Sequence, residues 1–489
     1  MAFSRSLSLI VAAMLSVIPI ASHALQATLP VVASTNLSGQ PAFGPCSGGQ
    51  LSDTGQFVVM ICASSDVVSG DDNDRYDTIL KDLRSGAKTR VSLDASNLEV
   101  RYHSSWGIPS TDGRFVVFNA QGMFHPDVVW VPIGIGDATT NNVFLRDTVA
   151  QTTELLSRDF NGVGNPERAG STMRDAAPSR QEVLFSSRAN YLDGPDVLPI
   201  FTNELFVRNW ATGTIERISA RPDGGQSASD ALLSVLGRNG RYVAFVSDAT
   251  DVTTDNPLGH SQIFLRDRVS QTTTRLTRTY HGGEFDRSPY ISRVKSSANL
   301  DWILFSASVA VGFTPNDDAR WARLYLLNRE SGATELQSMG SAGTPFDNSV
   351  FDADISADGR IIAFFTRATN VLPTPNPATA VYVKDRLTGE TINVSAPLGT
   401  SGAYIAGVDL SADGKRLAFD WRTNDPAQPA IDDRILVYTV DLAFGAPPRT
   451  SVEVPLLPRE MLLWLCALLG IAGMLAVRRR GKDSVGLRA

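Results

Sequence analysis

The stretch Ser356-Ala-Asp-Gly-Arg-Ile-Ile-Ala-Phe364 returns almost unchanged as Ser411-Ala-Asp-Gly-Lys-Arg-Leu-Ala-Phe419. Looser copies are Ser110-Thr-Asp-Gly-Arg-Phe-Val-Val-Phe118, Ser52-Asp-Thr-Gly-Gln-Phe-Val-Val-Met60 and Arg238-Asn-Gly-Arg-Tyr-Val-Ala-Phe245. Two worn copies, Glu182-Val-Leu-Phe-Ser186 and Asp301-Trp-Ile-Leu-Phe305, stand where the spacing demands them, which makes seven. A repeat of about 55–65 residues that is all strand and turn cannot bury its own apolar face, so neighbouring copies must supply the core.

Each copy reads as four strands. The Gly-Arg-Tyr-Val-Ala-Phe phrase is the second, and the third is of the type Ile263-Phe-Leu-Arg-Asp267 or Val381-Tyr-Val-Lys-Asp385. The fourth is of the type Thr274-Arg-Leu-Thr277, while the first, such as Val350 to Ile355, is less regular. Asp-Gly between alternating apolar strands predicts a tight hairpin with positive φ at both central residues. Small antiparallel sheets repeated radially make an all-β β-propeller, here of seven four-stranded blades with six as the alternative count. The Ser-x-Asp-Gly-Arg/Lys…Ala-Phe phrase resembles that of the TolB-like propeller family, over about Val31 to Leu442. The resemblance implies the fold, usually with six blades, in a family that mixes binding modules with the propeller halves of peptidases.

Six copies have a clear fourth strand, but the seventh ends at Ile435-Leu-Val-Tyr-Thr-Val440 and drifts into Gly445-Ala-Pro-Pro448. Val31-Val-Ala-Ser-Thr35 is expected to complete that blade and leave no open edge. Thr450-Ser-Val-Glu-Val454 is the competing candidate.

Both ends read as addresses. Arg5, the apolar run Leu7 to Ile20 and Ser22-His23-Ala24 make residues 1–24 a signal peptide. Met461 to Val477 is continuously apolar and is followed by Arg478-Arg479-Arg480, as in a transmembrane helix with a cytoplasmic basic end. With Val454-Pro455-Leu456-Leu457 before it, the segment resembles the IPTL-CTERM sorting tags of bacterial exported proteins. The resemblance implies a membrane sorting protease as partner, with a permanent anchor as the alternative. The organisation expected is thus residues 1–24, a propeller ectodomain over 25–453, and a sorting and membrane segment over 454–489. An exported protein of the periplasm, outer membrane or cell surface follows.

The chain carries 44 basic and 51 acidic residues. Without residues 1–24 and 459–489 the balance is 37 against 49, which argues against nucleic acid as a partner. Four histidines remain, His103, His125, His260 and His281, scattered over loops; a three-histidine axial site is the weaker reading beside ordinary turn residues. Phosphate-binding Gly loops, His-Glu-x-x-His and Gly-x-Ser-x-Gly are missing from the sequence. Asp82, Asp147, Asn209, Asp267, Asn328, Asp385 and Asp441 recur at the end of every third strand, as turn residues should. Asp71, Asn73 and Asp77, in a loop with Asp72 and Asp74, offer oxygen ligands for Ca2+ as a possible cofactor, solvated turns being the simpler reading. Weaker counterparts are Asp251 with Asp255 and Asn256, Asn316-Asp317-Asp318 and Asp432-Asp433.

Trp106, Phe124, Trp130, Trp210, Phe313, Trp321 and Trp421 are aromatic residues outside the strands that could line a groove for a sugar or peptide. Phe124, Trp130, Phe201 and Trp321 are the candidate contacts, with loops such as Phe124 to Gly136 and Pro195 to Thr202 breaking the repeat. Packing between blades is the competing role. Cys46 and Cys62 each lie eight residues from Thr54, so a hairpin folded there sets them opposite each other as a disulfide. The expected function is a non-catalytic scaffold that binds a protein or glycan. The alternative is a carbohydrate-active hydrolase or lyase using axial carboxylates.

Overall fold

The computed structural model describes residues 24–445, apart from residues 74, 101–102, 122–123, 127–140, 159–169, 189–191, 194–201, 309–311, 316–319, 377–378, 400–406 and 423–433. Seven antiparallel sheets follow one another along the chain. Ser171–Ala177, the first strand of the third, packs on the second and third strands of the second sheet, and at the other six steps the first strands of neighbouring sheets touch. The fold is a seven-bladed propeller. Its innermost strands, for blades 1 to 7, are Cys46–Leu51, Ser104–Pro109, Ser171–Ala177, Ala231–Leu236, Tyr290–Ser296, Val350–Ile355 and Val408–Leu410.

Blades 1 to 6 take all four strands from consecutive sequence. Blade 7 takes three and is completed by the beginning of the chain. Gln26–Ala27 and Val31–Val32 both pair antiparallel with Ile435–Ala443, Gln26 opposite Ala443 and Val31 opposite Thr439. The backbone N–H of Ala33 extends the ladder to the Val437 carbonyl at 2.7 Å. Closure therefore uses the N-terminal strand; Thr450 to Val454 lies outside the described residues.

The repeated phrase is the turn between first and second strands. In Ser356 to Ile361 the serine Oγ donates to Asp358 Oδ1 at 2.6 Å and accepts the Ile361 N–H at 2.9 Å. Asp358 Oδ1 also accepts the Arg360 N–H. Ser110 with Asp112 and Ser411 with Asp413 repeat the pattern. The loop is longer than the two-residue turn expected from Asp-Gly: Ser356 N–H bonds the Ile361 carbonyl, leaving four residues between. Positive φ is confined to the glycine, +74° at Gly359, because the serine and aspartate side chains satisfy the backbone that a tighter turn would have paired.

The aspartates that end the third strands are held in the same fashion. Asp147 Oδ1 accepts the N–H groups of Val149 and Ala150, and its carboxylate takes both Nε and Nη2 of Arg114. Asp385 with Arg360, and Asp267 with Arg241, are the same device. These bonds hold all three carboxyls below the usual aspartate range, although burial opposes the effect and is the largest single influence at Asp385.

Apolar side chains pack between blades more than within them. One cluster joins Val59 and Leu80 of blade 1 to Phe118 and Phe144 of blade 2, and similar clusters fill the gaps around the ring. At the closure a single cluster spans blades 6, 7 and 1 and takes in Leu25 and Ala33 from the N-terminal segment.

Cys46 and Cys62 lie within that closure cluster, opposite each other, with a Cα separation of 4.1 Å and a disulfide between them. Two departures from a simple hairpin cancel to put them there. Ser52 pairs with Phe57, so the turn is centred half a residue past Thr54. A bulge at Gly48-Gly49 then shifts the register back by one residue on the outer part of the strand. A Cβ on Gly49 would stand 2.6 Å from Val437 Cγ1, so this bulge also lets blade 1 pack tightly on blade 7.

Candidate axial binding site

The innermost strands of blades 1 to 6 all carry a β-bulge. Bulges twist the strand and re-aim the side chains beyond them. Here they frame an axial cavity of about 480 Å3 to which every blade contributes. At matching inward positions stand Gln50, Ile108, Asp175, Val235, Lys295, Asp354 and Asp409, one from each blade. No two neighbouring blades offer the same residue except 6 and 7.

The wall made by blades 5, 6 and 7 is charged. Lys295 Nζ lies 3.9 Å from Asp354 Oδ1 and 3.9 Å from Asp409 Oδ1, close enough for attraction but beyond hydrogen bonding. Arg293 Nε donates to Asp352 Oδ1 at 3.0 Å. The second oxygen of each aspartate ties the next blade: Asp354 Oδ2 accepts Leu410 N–H, Asp409 Oδ2 accepts Leu51 N–H and Asp352 Oδ2 accepts Val408 N–H. Each carboxylate thus has one oxygen in the frame and one turned to a cation of the cavity wall.

Burial, followed by the charge of Asp354, pushes Asp409 up to about 7 against the pull of Lys295. Burial likewise raises Asp352 and Asp175. For Lys295 burial works against the charge, but the surrounding aspartates outweigh it and hold the ammonium above its ordinary range. Behind the wall, fully buried Asp420 accepts the N–H of Gly48 at 2.9 Å across the closure, and burial raises it to about 7.

Blades 2 to 4 present a different wall: Trp106, Ile108, Arg174, Leu233, Ser234 and Val235. Trp106 is the bulged residue of blade 2, with φ of +39° and 41% of its surface exposed. A bulky side chain rarely occupies that backbone region, at a cost of order 1–3 kcal/mol, and such strain collects at functional sites. The turn end of the cavity is cross-tied. Backbone N–H groups run from Arg238 to Ala298, Ala357, Ala412 and the carbonyl of Asp53, and the Arg238 guanidinium reaches Asp53 Oδ1 at 2.7 Å from three blades away.

Of the aromatic residues expected from the sequence as contacts, Trp106 lines this cavity, whereas Phe124 and Trp321 do not. Phe124 is fully buried, with ring centroids 5.8 Å from Phe118 and 5.3 Å from Phe144; it is a core residue and has no surface for a ligand. Trp321 is half-buried under the guanidinium of Arg320 and away from the axis. Trp130 and Phe201 lie outside the described residues, as do Asp74, Asn316 to Asp318, Asp432-Asp433, Val454, Pro455, Leu457 and Arg478 to Arg480.

The acidic loop of blade 1 also differs from its expected form. Asp71 and Asp77 come together with Glu99, not Asn73, and the guanidinium of Arg90 stands among them, 2.7 Å from Glu99 and 3.7 Å from each aspartate. Asn73 turns away, donating to the Val100 carbonyl. Burial and the charge of Asp77 raise Asp71 to about 6. Arg217 with Asp193, and Arg275 with Glu284 and Asp255, are the equivalent contacts in blades 3 and 4. The Arg90 guanidinium thus stands among the acids expected as calcium ligands, where Asp71, Asp77 and Glu99 each bring a carboxylate oxygen within 4.8 Å of the others. Of the histidines, His103 packs on Tyr76 and His281 on Tyr280, on loops of separate blades.

Asp354 and Asp409 were open to discovery from sequence, two residues before the turn serines of the two best copies, as was Lys295 in the worn one. The least regular strand carries the chemistry, and aligning the copies on their serines exposes it.

The chain matches no protein-family model and no curated protein sequence. Among solved structures, oligogalacturonate lyase from Vibrio parahaemolyticus is similar over 85% of this chain and 96% of its own, with 11% identity and a TM-score of 0.52. That likeness is one of fold. TolB from Acinetobacter baumannii (76% and 77% covered, 11% identity, TM-score 0.37) and a puromycin hydrolase S511A mutant (78% and 50%, 13%, 0.46) also align, at scores that carry no argument.

Proposed function

We propose that this propeller binds a saccharide in its axial cavity without turning it over. The observation that carries the reading is Trp106, a strained and half-exposed aromatic lining the same cavity as the wall of paired Asp, Lys and Arg side chains on blades 5 to 7. A sugar ring has an apolar face for the indole and hydroxyls for the charged wall, the mixture that small-molecule sites provide. A glycan array probed with the ectodomain, followed by calorimetry on the hits, tests it. Binding lost in Trp106→Ala with an unchanged melting temperature is the expected result; hits indifferent to Trp106→Ala overturn the axial placement.

The reading includes export. Residues 1–24 direct secretion, and residues 454–489 attach the ectodomain to the envelope or present it to a membrane sorting protease. Deleting Glu460 to Ala489 is expected to release the ectodomain in soluble form. Full-length protein found soluble in the cytoplasm overturns it.

A second reading, a hydrolase or lyase, is favoured by one observation: Asp409, held near neutrality by burial, stands with Asp354 beside one ammonium. Turnover of glycosides or uronides that vanishes in Asp409→Asn would replace binding by catalysis.

A further inference from the structure

Four cations line the axial cavity, and three of them are answered by carboxylates. Arg238 meets Asp53, Arg293 meets Asp352, and Lys295 lies between Asp354 and Asp409. Arg174 is the exception. It is the bulged residue of blade 3, and its Nε donates to Ser186 Oγ at 3.0 Å. Among the described residues its two terminal nitrogens have no hydrogen bond and no ion pair. Burial pushes the guanidinium down with nothing to offset it.

A planar guanidinium anchored by Nε, with both Nη groups open to the cavity, is shaped to take a carboxylate end-on, one Nη to each oxygen. Two neighbours support a ligand there. Ser234 on blade 4 lines the same cavity; it is 7% exposed, and its buried Oγ has no partner. An unsatisfied buried hydroxyl costs about 1–3 kcal/mol, which a bound oxygen would recover. Trp106 flanks Arg174 on the other side, on blade 2. Asp175, next to Arg174 in sequence, does not compete for it: Oδ1 accepts Ala176 N–H and Oδ2 accepts Leu236 N–H.

We infer that the axial ligand is an acidic saccharide, with the carboxylate of one ring held by the Arg174 fork and the ring lying against Trp106. The aspartates of blades 6 and 7 then limit the number of negative charges the cavity accepts. A single carboxylated ring at the blade 3 wall, extended by neutral sugars toward Lys295 and its aspartates, suits the charge distribution. This inference rests on the saccharide reading above, and its failure is separable from the failure of that reading.

The experiment is calorimetric titration of the full ectodomain with disaccharides containing glucuronate, galacturonate or sialate, beside their neutral counterparts. The acidic sugar is expected to bind about ten- to a hundred-fold tighter than the neutral one, the range of a charge-assisted hydrogen bond pair. Arg174→Gln should bring the acidic affinity down to that of the neutral counterpart, while Trp106→Ala weakens both. Arg174→Lys keeps the charge without the fork and should recover part of the preference; it also serves if Arg174→Gln does not fold. Equal binding of acidic and neutral sugars, untouched by Arg174→Gln, overturns the acidic class but leaves an axial saccharide. No binding of any sugar at millimolar concentration overturns both.

Discussion

The outer turns and the inner strands of this propeller use the same sevenfold repeat in opposite ways. At the outer turns blades 1 to 6 repeat one solution: an aspartate or asparagine caps its own hairpin, as Asp82, Asp147, Asn209, Asp267, Asn328 and Asp385 all do. Asp441 of blade 7, expected to do the same, lies within a strand that runs on to Ala443 and meets Arg416 instead. At the axis the same position becomes Gln50, Ile108, Asp175, Val235, Lys295, Asp354 and Asp409. A residue that each blade needs for its own folding cannot also distinguish one blade from another. A site with direction and selectivity has to be built where the copies differ, and the inner strands are free to differ because the turns already fix them.

That contrast can be broken by mutation, with frame residues moving stability and axial residues moving binding. The largest effect is expected from deleting Val31 to Ser38, which opens the edge of blade 7: aggregation, or a melting temperature lower by many degrees. A deletion mutant that melts like the parent would mean that another strand closes the ring. Next comes the disulfide. Cys46→Ala with Cys62→Ala should cost about 2–4 kcal/mol, read by denaturant unfolding of the oxidised parent and the double mutant. Non-reduced mass spectrometry should find no free thiol at either position in the parent. Ser356→Ala removes two turn hydrogen bonds and should cost about 1–3 kcal/mol with sugar affinity unchanged.

Stability should also depend on pH, through the buried axial carboxyls. Asp409 and Asp420 stand near 7 in the folded chain, against about 4 for an unfolded aspartate. Between those values the fold holds protons that the unfolded chain has released, so stability falls as pH rises from about 4 through 7. Lys295 stays charged in both states over that window. A melting temperature a few degrees higher at pH 5 than at pH 8 is expected, and Asp420→Asn, which keeps an acceptor for Gly48, should flatten the slope. The smallest effect on stability belongs to Trp106→Ala, a residue half in solvent and under backbone strain: near zero by melting, large by binding.

The fold was legible because its determinants are local. Ser-x-Asp-Gly writes its own turn, and the short run of β-branched and aromatic residues in Ile361–Thr366 or Tyr242–Ser247 names a strand without knowledge of any partner. Even the closing strand could be found, since one blade lacked a fourth strand and one spare strand preceded the first blade. The site was not legible in the same way. Whether Phe124 faces a groove or Phe144 depends on loop packing that periodicity does not encode. The acids of the blade 1 loop suggested a cation site, but their spacing gave no sign that Arg90, about twenty residues on and in another strand, stands among them. The pairing of Cys46 with Cys62 needed a bulge at Gly48-Gly49 that the spacing concealed.

Blade 7 holds the two ends of the propeller in one sheet, and this imposes an order on how the molecule comes into being. Val31 is made some four hundred residues before Thr439, the residue it pairs with. As the chain emerges, the six blades between can assemble against one another, but the strand that seals the circle must wait, with its hydrogen-bonding groups unpaired, until the last blade exists. Throughout that interval it is a loose edge in search of a partner, open to pairing with a second nascent chain. Whatever escorts this protein has one segment to guard above the rest, and it is the first to appear.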